Sequence, residues 1–300
     1  MLRCTESGLI PLMLSNKYAV YTESFYTDNT RLFEDIVKHE SYYMTRKLPV
    51  VLAERLLLPE LPSLLSRQKR NGMWKVKDTE RITYDILSAL KHIGVLDKTD
   101  SERSPRYCPL DTLKEKCDFY SLLIKANIFQ QTDERDNHEI ALLIADIRRN
   151  QKENGSWDDT VTGTVVNMED LLDLGVGQDD TSISRGVDFL FDNLNSELEG
   201  IHATAPYGLV ACNMFTTKDR NSEFASAIKL KPEWIPRSAC FRTLAIITNA
   251  VCLTLLVKLG MENDKRVALA LDNIYQLYTE YGSLCASYIK LPFMKYASKR

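Results

Sequence analysis

Gln68-Lys69-Arg70-Asn71-Gly72-Met73-Trp74 returns 83 residues later as Gln151-Lys152-Glu153-Asn154-Gly155-Ser156-Trp157. Gln, Lys, Asn, Gly and Trp stand in register in both. Glycine is the residue best able to take the left-handed conformation that closes a helix end. The expected arrangement is therefore a Gly that ends an outer helix, with the chain turning back into an inner one. The Trp then fills the wedge between neighbouring hairpins, and the Gln hydrogen-bonds backbone groups orphaned at helix termini. Each segment is followed by an apolar stretch ending alike, Ile93-Gly94-Val95 and Leu174-Gly175-Val176. Fainter echoes are Gly200-Ile201-His202 and Gly282-Ser283-Leu284. Positions 74, 157, 202 and 284 are separated by 83, 45 and 82 residues, near two, one and two units. A unit of about 42 residues has the length of an αα hairpin with its loops.

Periodicity outside these segments is helical. Ile140, Leu143, Ile144 and Ile147 stand at i, i+3, i+4, i+7, as do Val187, Leu190, Phe191 and Leu194. Val267, Ala270, Leu271, Ile274, Leu277 and Tyr278 extend the pattern over three turns, and Ile82, Ile86, Leu90 and Ile93 make a further stripe. No comparable run alternates with period two, so the fold class is all-α. The helices come in two kinds. Residues 136–153, 183–198 and 263–280 are amphipathic and well charged, whereas 160–168, 203–217 and 243–257 carry no charged side chain. A helix apolar all round is expected to be buried all round, so charged helices outside and apolar ones inside make two layers.

Composition bounds the function. With 300 residues, 44% hydrophobic and 26% charged, and only 12 Gly and 10 Pro, the chain has enough apolar content for a large core. A net charge of −3 without a basic block argues against nucleic-acid binding. Seven cysteines without a Cys-x-x-Cys pair read as reduced thiols of a cytoplasmic protein. The longest uncharged apolar stretch, 243–257, is too short and too polar to span a bilayer, and no signal-peptide pattern opens the chain. One domain over 1–300 is expected: an irregular part at 1–48, then about six hairpins over 49–300. Phosphate loops, nucleophile elbows, His-Glu-x-x-His zinc motifs and dinucleotide fingerprints are missing, so no cofactor is indicated.

The paired Gln-x-x-Asn-Gly-x-Trp segments resemble the QW-type repeats of the terpene cyclase and protein prenyltransferase superfamily. The stretch Leu259-Gly260 to Leu271 resembles the linker and outer helix of those repeats. The resemblance covers residues 65–285. It implies an α/α toroid, with inner helices around a cavity and outer helices encircling them, and an apolar, isoprenoid-type ligand in that cavity.

It also implies residues to look for. Protonating cyclases use Asp-x-Asp-Asp-Thr, and the nearest likeness is Ser156-Trp157-Asp158-Asp159-Thr160, making Asp158 and Asp159 the candidate acids. Gly177-Gln178-Asp179-Asp180-Thr181 is a second, placed at the start of an outer helix. A helix N-terminus favours the ionised carboxylate, and capping by Asp and Thr accounts for either stretch equally well. Prenyltransferase zinc sites need Asp, Cys and His; Cys212, Cys240, Cys252 and His202 supply the elements without ligand spacing, so no metal is assigned. Glu169-Asp170-Leu171-Leu172-Asp173 is a partial magnesium-type acidic stretch that reads as a solvated edge. Arg237 and Arg242 suit a diphosphate, with Trp157 and His202 as further ligand-binding candidates. The motifs are incomplete, so whether the protein is an enzyme is left open. A non-catalytic helical module that binds a partner protein is the alternative.

Overall fold

The computed structural model describes residues 10–18, 42–74, 79–96, 105–196 and 251–281. Among them there is no β-strand, only two isolated bridges, Gln68–Trp74 and Trp157–Thr160, so the described protein is all-α. No helix among the described residues is long and apolar enough to cross a membrane. The described residues form two compact units. Residues 10–18, 150–172, 177–196 and 251–281 make one, and residues within 42–149 together with Asp173–Val176 make the other.

In the second unit, α1 (Tyr42–Thr45) precedes α2 (Val50–Ser66). Leu52, Ala53, Leu56, Leu57, Leu61, Leu64 and Leu65 line the buried face of α2. Pro59 and Pro62 lie inside this helix but on its exposed face, where water can take the carbonyls their missing N–H groups leave open. Glu80 in the first turn and Lys91 and His92 in the last complement the dipole of α3 (Thr79–His92). Gly94, at φ +67°, closes it in a Schellman turn in which Val95 N donates to Leu90 O at 2.9 Å. After α4 (Leu110–Leu113), Asp118 caps α5 (Phe119–Leu123) by accepting from Ser121 N at 3.1 Å. That helix widens into a π-helix, Ile124–Phe129, whose Asn127 carbonyl accepts from Lys91 Nζ at 2.5 Å. Helix α6 (Glu134–Arg149) follows, with Lys125 paired to Asp136 out of water. The stripe Ile140, Leu143, Ile144, Ile147 is only half-buried there.

In the first unit, α7 (Val161–Asp173, all but its last residue) packs on α8 (Thr181–Ser196). The approach is close: a Cβ on Gly186 would lie 2.6 Å from Met168 Sδ. Helical residues 251–258 end at Gly260, φ +75°, with Met261 N donating to Leu256 O, the same closure as in α3. Helix α9 (Lys265–Tyr281) is capped by Asp264, which accepts from Arg266 N at 2.9 Å. Residues 10–18, which match no recognised pattern, are tied to this end of the chain. Asn16 donates to Glu262, Lys17 pairs with Asp272 at 2.7 Å, and the Tyr18 and Tyr275 rings lie 4.8 Å apart.

The two-layer expectation needs correcting in detail. Residues 252–256 are buried without a break, as a charge-free helix should be. Helix α7 is buried only along Val161, Thr164, Val165, Met168 and Leu171, while Val166 is 45% exposed. Lack of charge limits where a helix can lie, but one buried stripe already meets most of its apolar demand. Conversely α3, which carries charges, is buried at 83, 84, 85, 86 and 87 in succession.

Candidate functional site

The two Gln-x-x-Asn-Gly-x-Trp segments build the same joint, each within its own unit. Gly72 and Gly155 both lie six residues beyond a helix end, at φ +79° and +83°. The glycine therefore does not terminate the helix, as the sequence suggested; it closes a separate loop. Lys69 N donates to Met73 O at 2.9 Å and Lys152 N to Ser156 O at 2.9 Å. Met73 N donates to Asn71 Oδ1 and Ser156 N to Asn154 Oδ1. Gln68 Nε2 bridges Gly72 O (3.0 Å) and Tyr107 O (2.8 Å); Gln151 Nε2 bridges Gly155 O and Ser182 O, both at 2.9 Å. Each Gln thus ties its loop to a segment 39 or 31 residues further on. Trp74 and Trp157 are 3% and 2% exposed, and their backbone N–H groups donate to the Thr83 and Thr164 hydroxyls in the helix that follows, while the Trp74 indole Nε1 donates to Leu64 O at 2.9 Å. Both tryptophans are core wedges. Trp157, a ligand-binding candidate from the sequence, is enclosed by its joint.

The acidic pair after Trp157 faces solvent. Asp158 and Asp159 take left-handed backbone, φ 58° and 52°, and both are exposed. Asp159 accepts from Lys152 Nζ, from Ser156 Oγ at 3.2 Å and from Asn154 Nδ2 at 3.3 Å. Those donors, Lys152 first, hold its carboxyl below the ordinary carboxylate range. An ionised carboxylate in water is the opposite of what protonating an alkene requires. The cap of α7 is Thr160, whose Oγ1 accepts from Gly163 N at 3.0 Å, and Asp180 caps α8 through Ser182 N at 2.8 Å. Arg237, Arg242, His202, Cys212 and Cys240 lie outside the described residues. Cys252 is fully buried, and burial pushes its thiol up to about 12, which keeps it protonated. Among the described residues no three His, Cys, Asp or Glu side chains stand together as a metal site.

A different group is brought together in the second unit. Its centre is Arg46, just after α1 and with its side chain 17% exposed. Arg46 Nη1 donates to Asp173 Oδ2 at 3.1 Å and to Tyr84 Oη at 3.2 Å. Its Nε lies 3.9 Å from Asp85 Oδ1 and makes no hydrogen bond. The guanidinium also stacks near the rings of Tyr43 and Tyr84, 5.0 and 5.1 Å from their centroids. Tyr84 Oη donates to Asp173 at 3.3 Å, and Asn127 Nδ2, from the π-helix, donates to Asp173 O at 2.6 Å. Asp173 ends α7, where the helix dipole opposes a carboxylate and the last carbonyls lack partners. Arg46 and Asn127 meet those two needs. The reading of 169–173 as a solvated edge therefore fails at Asp173.

The electrostatics follow from this placement. Burial pushes the Asp85 carboxyl up to about 6, against the pull of Arg46 and Arg81 and with the help of the Asp173 charge. Burial also opposes the Arg46 charge, but Asp173, Tyr84 and Asp85 outweigh it and hold the guanidinium more firmly protonated. Burial, then Asp173, raises the Tyr84 phenol. Two carboxylates thus share one guanidinium in a site largely closed to water. Such a site can keep or release a proton near neutral pH. The sequence held a signal for it: Asp85 is the lone charge in the run 82–90, on a helix whose apolar residues demand burial. Comparison with known protein families, with characterised proteins and with solved structures finds no match.

Proposed function

We propose that the chain is an α/α-toroid protein of the terpene cyclase and prenyltransferase kind, binding an apolar, isoprenoid-type ligand in a central cavity. What carries the reading is the pair of equivalent joints at Gly72 and Gly155, each clamping a helical hairpin to the next segment through one glutamine. Repetition of one joint along an all-α chain is the mark of stacked helical hairpins, which a toroid arranges in a ring. In this reading the joints build and do not react, and Arg237 and Arg242 are the contacts for a diphosphate. The test is organic extraction of the purified full chain, followed by mass spectrometry, with binding of farnesyl diphosphate and farnesol measured by calorimetry. A co-purifying isoprenoid or saturable binding of either probe supports the reading. Clean extracts with no binding of either at 100-fold protein excess over the usual micromolar range, about 100 μM, sink it.

One observation favours the second reading, a non-catalytic helical module that binds a partner protein. The acids nearest to a cyclase motif, Asp158 and Asp159, are turned to water, and Asp159 is held ionised by Lys152. A protein that bound neither isoprenoid probe but captured a defined partner would belong to this class.

A further inference from the structure

We propose that Arg46, Asp85 and Asp173 form a proton-operated latch in the unit of residues 42–149 and 173–176, closed when Asp85 holds a proton and slackened when it does not. One guanidinium serves two carboxylates unequally, bonded to Asp173 at 3.1 Å and standing off from Asp85 at 3.9 Å with Nε unbonded. The Asp85 side chain is only 8% exposed, so water does little to screen it from Asp173.

The neighbouring charges are otherwise engaged or peripheral. Lys47, on the same segment as Arg46, is bonded to Tyr43 Oη and lies 4.0 Å from that ring's centroid. Arg81, one turn earlier on α3, is exposed. From the π-helix, Lys125 is held by Asp136 and by Lys116 O at 2.9 Å. Lys91 is held at the Asn127 carbonyl, and the His92 ring bonds Leu48 O at 2.8 Å. Tyr84 lies on α3 itself and already shares Arg46 and Asp173. With Asp85 protonated, one carboxylate faces one guanidinium and the pair is balanced. With Asp85 ionised, two like charges compete for Arg46.

Four pieces of chain meet at this point: the Arg46 segment, α3, the π-helix through Asn127, and Asp173. Loosening Asp173 therefore loosens Asn127, whose amide bonds the Asp173 carbonyl. A π-helix is a rare form, found mostly as a single turn and frequently at functional sites, and here Asn127 ties it to Asp173 and to Lys91. The latch thus couples a proton to the order of residues 124–129. Asp85 titrating at about 6 sets the working range on the acid side of neutral.

The test uses the full chain labelled at the aspartate side-chain carboxyl carbons. One aspartate should titrate with a midpoint near 6, and its signal should vanish in Asp85→Asn. Hydrogen exchange of 124–129, corrected for intrinsic rates, should be at least threefold slower at pH 5 than at pH 7.5 in the wild type. In Asp85→Asn the two should agree. Should that variant fail to fold, Asp173→Asn serves instead: it frees Arg46 for Asp85 and should lower the midpoint by a unit or more. The proposal is overturned if no aspartate titrates above pH 5, if exchange at 124–129 ignores pH in the wild type, or if Asp173→Asn leaves the midpoint in place.

Discussion

Asp159 and Asp85 both follow the same kind of joint, yet their environments push them in opposite directions. Asp159 stands two residues after Trp157, in water, among three donors that favour its charge. Asp85 stands on the helix after Trp74, buried, with the lesser share of one guanidinium. The first reads as an acid by motif and is held ionised. The second belongs to no motif and is the one that keeps its proton up to about pH 6. What separates them is burial and counter-charge, not the neighbouring sequence.

Removing the two wedges is the most severe test of whether the joints are alike. Trp74→Ala and Trp157→Ala should each cost about 3–5 kcal/mol, read from denaturant unfolding of each variant. A much smaller loss at one site would break the equivalence. Next come the loop glycines. A Cβ at Gly72 would lie 2.4 Å from Pro109 N, and one at Gly155 2.2 Å from Arg185 O, both on left-handed backbone. Gly72→Ala and Gly155→Ala should cost about 2–4 kcal/mol, since backbone strain and overpacking both act. Gly94→Ala, where the backbone is left-handed but nothing lies within 4 Å, should cost only about 1 kcal/mol in the same measurement.

The acids are contrasted by pH. Because the folded protein holds the Asp85 proton up to about 6 while an unfolded Asp releases it near 4, folding takes up a proton between these values. The contribution of Asp85 to stability is therefore full below pH 4 and lost as pH rises through 6, by at most about 3 kcal/mol. Asp85→Asn, a neutral mimic of the protonated acid, should flatten that slope and raise Tm at pH 8. A variant that lowers Tm at pH 8 as much as at pH 5 would place Asp85 in an ordinary ion pair. The smallest effect belongs to Asp159→Asn, which should leave Tm at pH 7 unchanged and alter no ligand binding. A loss of binding or activity there would restore Asp159 as a working acid.

Much of the fold was legible because it rests on local rules. Helices were visible in the spacing of Ile82, Ile86 and Leu90 or of Val187, Leu190 and Phe191. The closures at Gly94 and Gly260 follow from what glycine alone adopts easily. The shared role of Gln68 and Gln151 was foreseen as bonding to backbone, but not their partners, Tyr107 O and Ser182 O. These lie more than 30 residues away, and no local spacing reports them. The acids at 158 and 159 were found by likeness to a motif, and likeness does not carry solvent exposure with it.

The sequence by itself determined that the described residues are helical, where several helices end, and that two stretches would fold into one kind of joint. These depend on backbone preferences and apolar spacing within a few turns. Tertiary structure alone decided that Arg46, Tyr84, Asp85, Asn127 and Asp173 meet. The energy of a charge is set by everything packed around it, and those neighbours come from segments up to 127 residues apart.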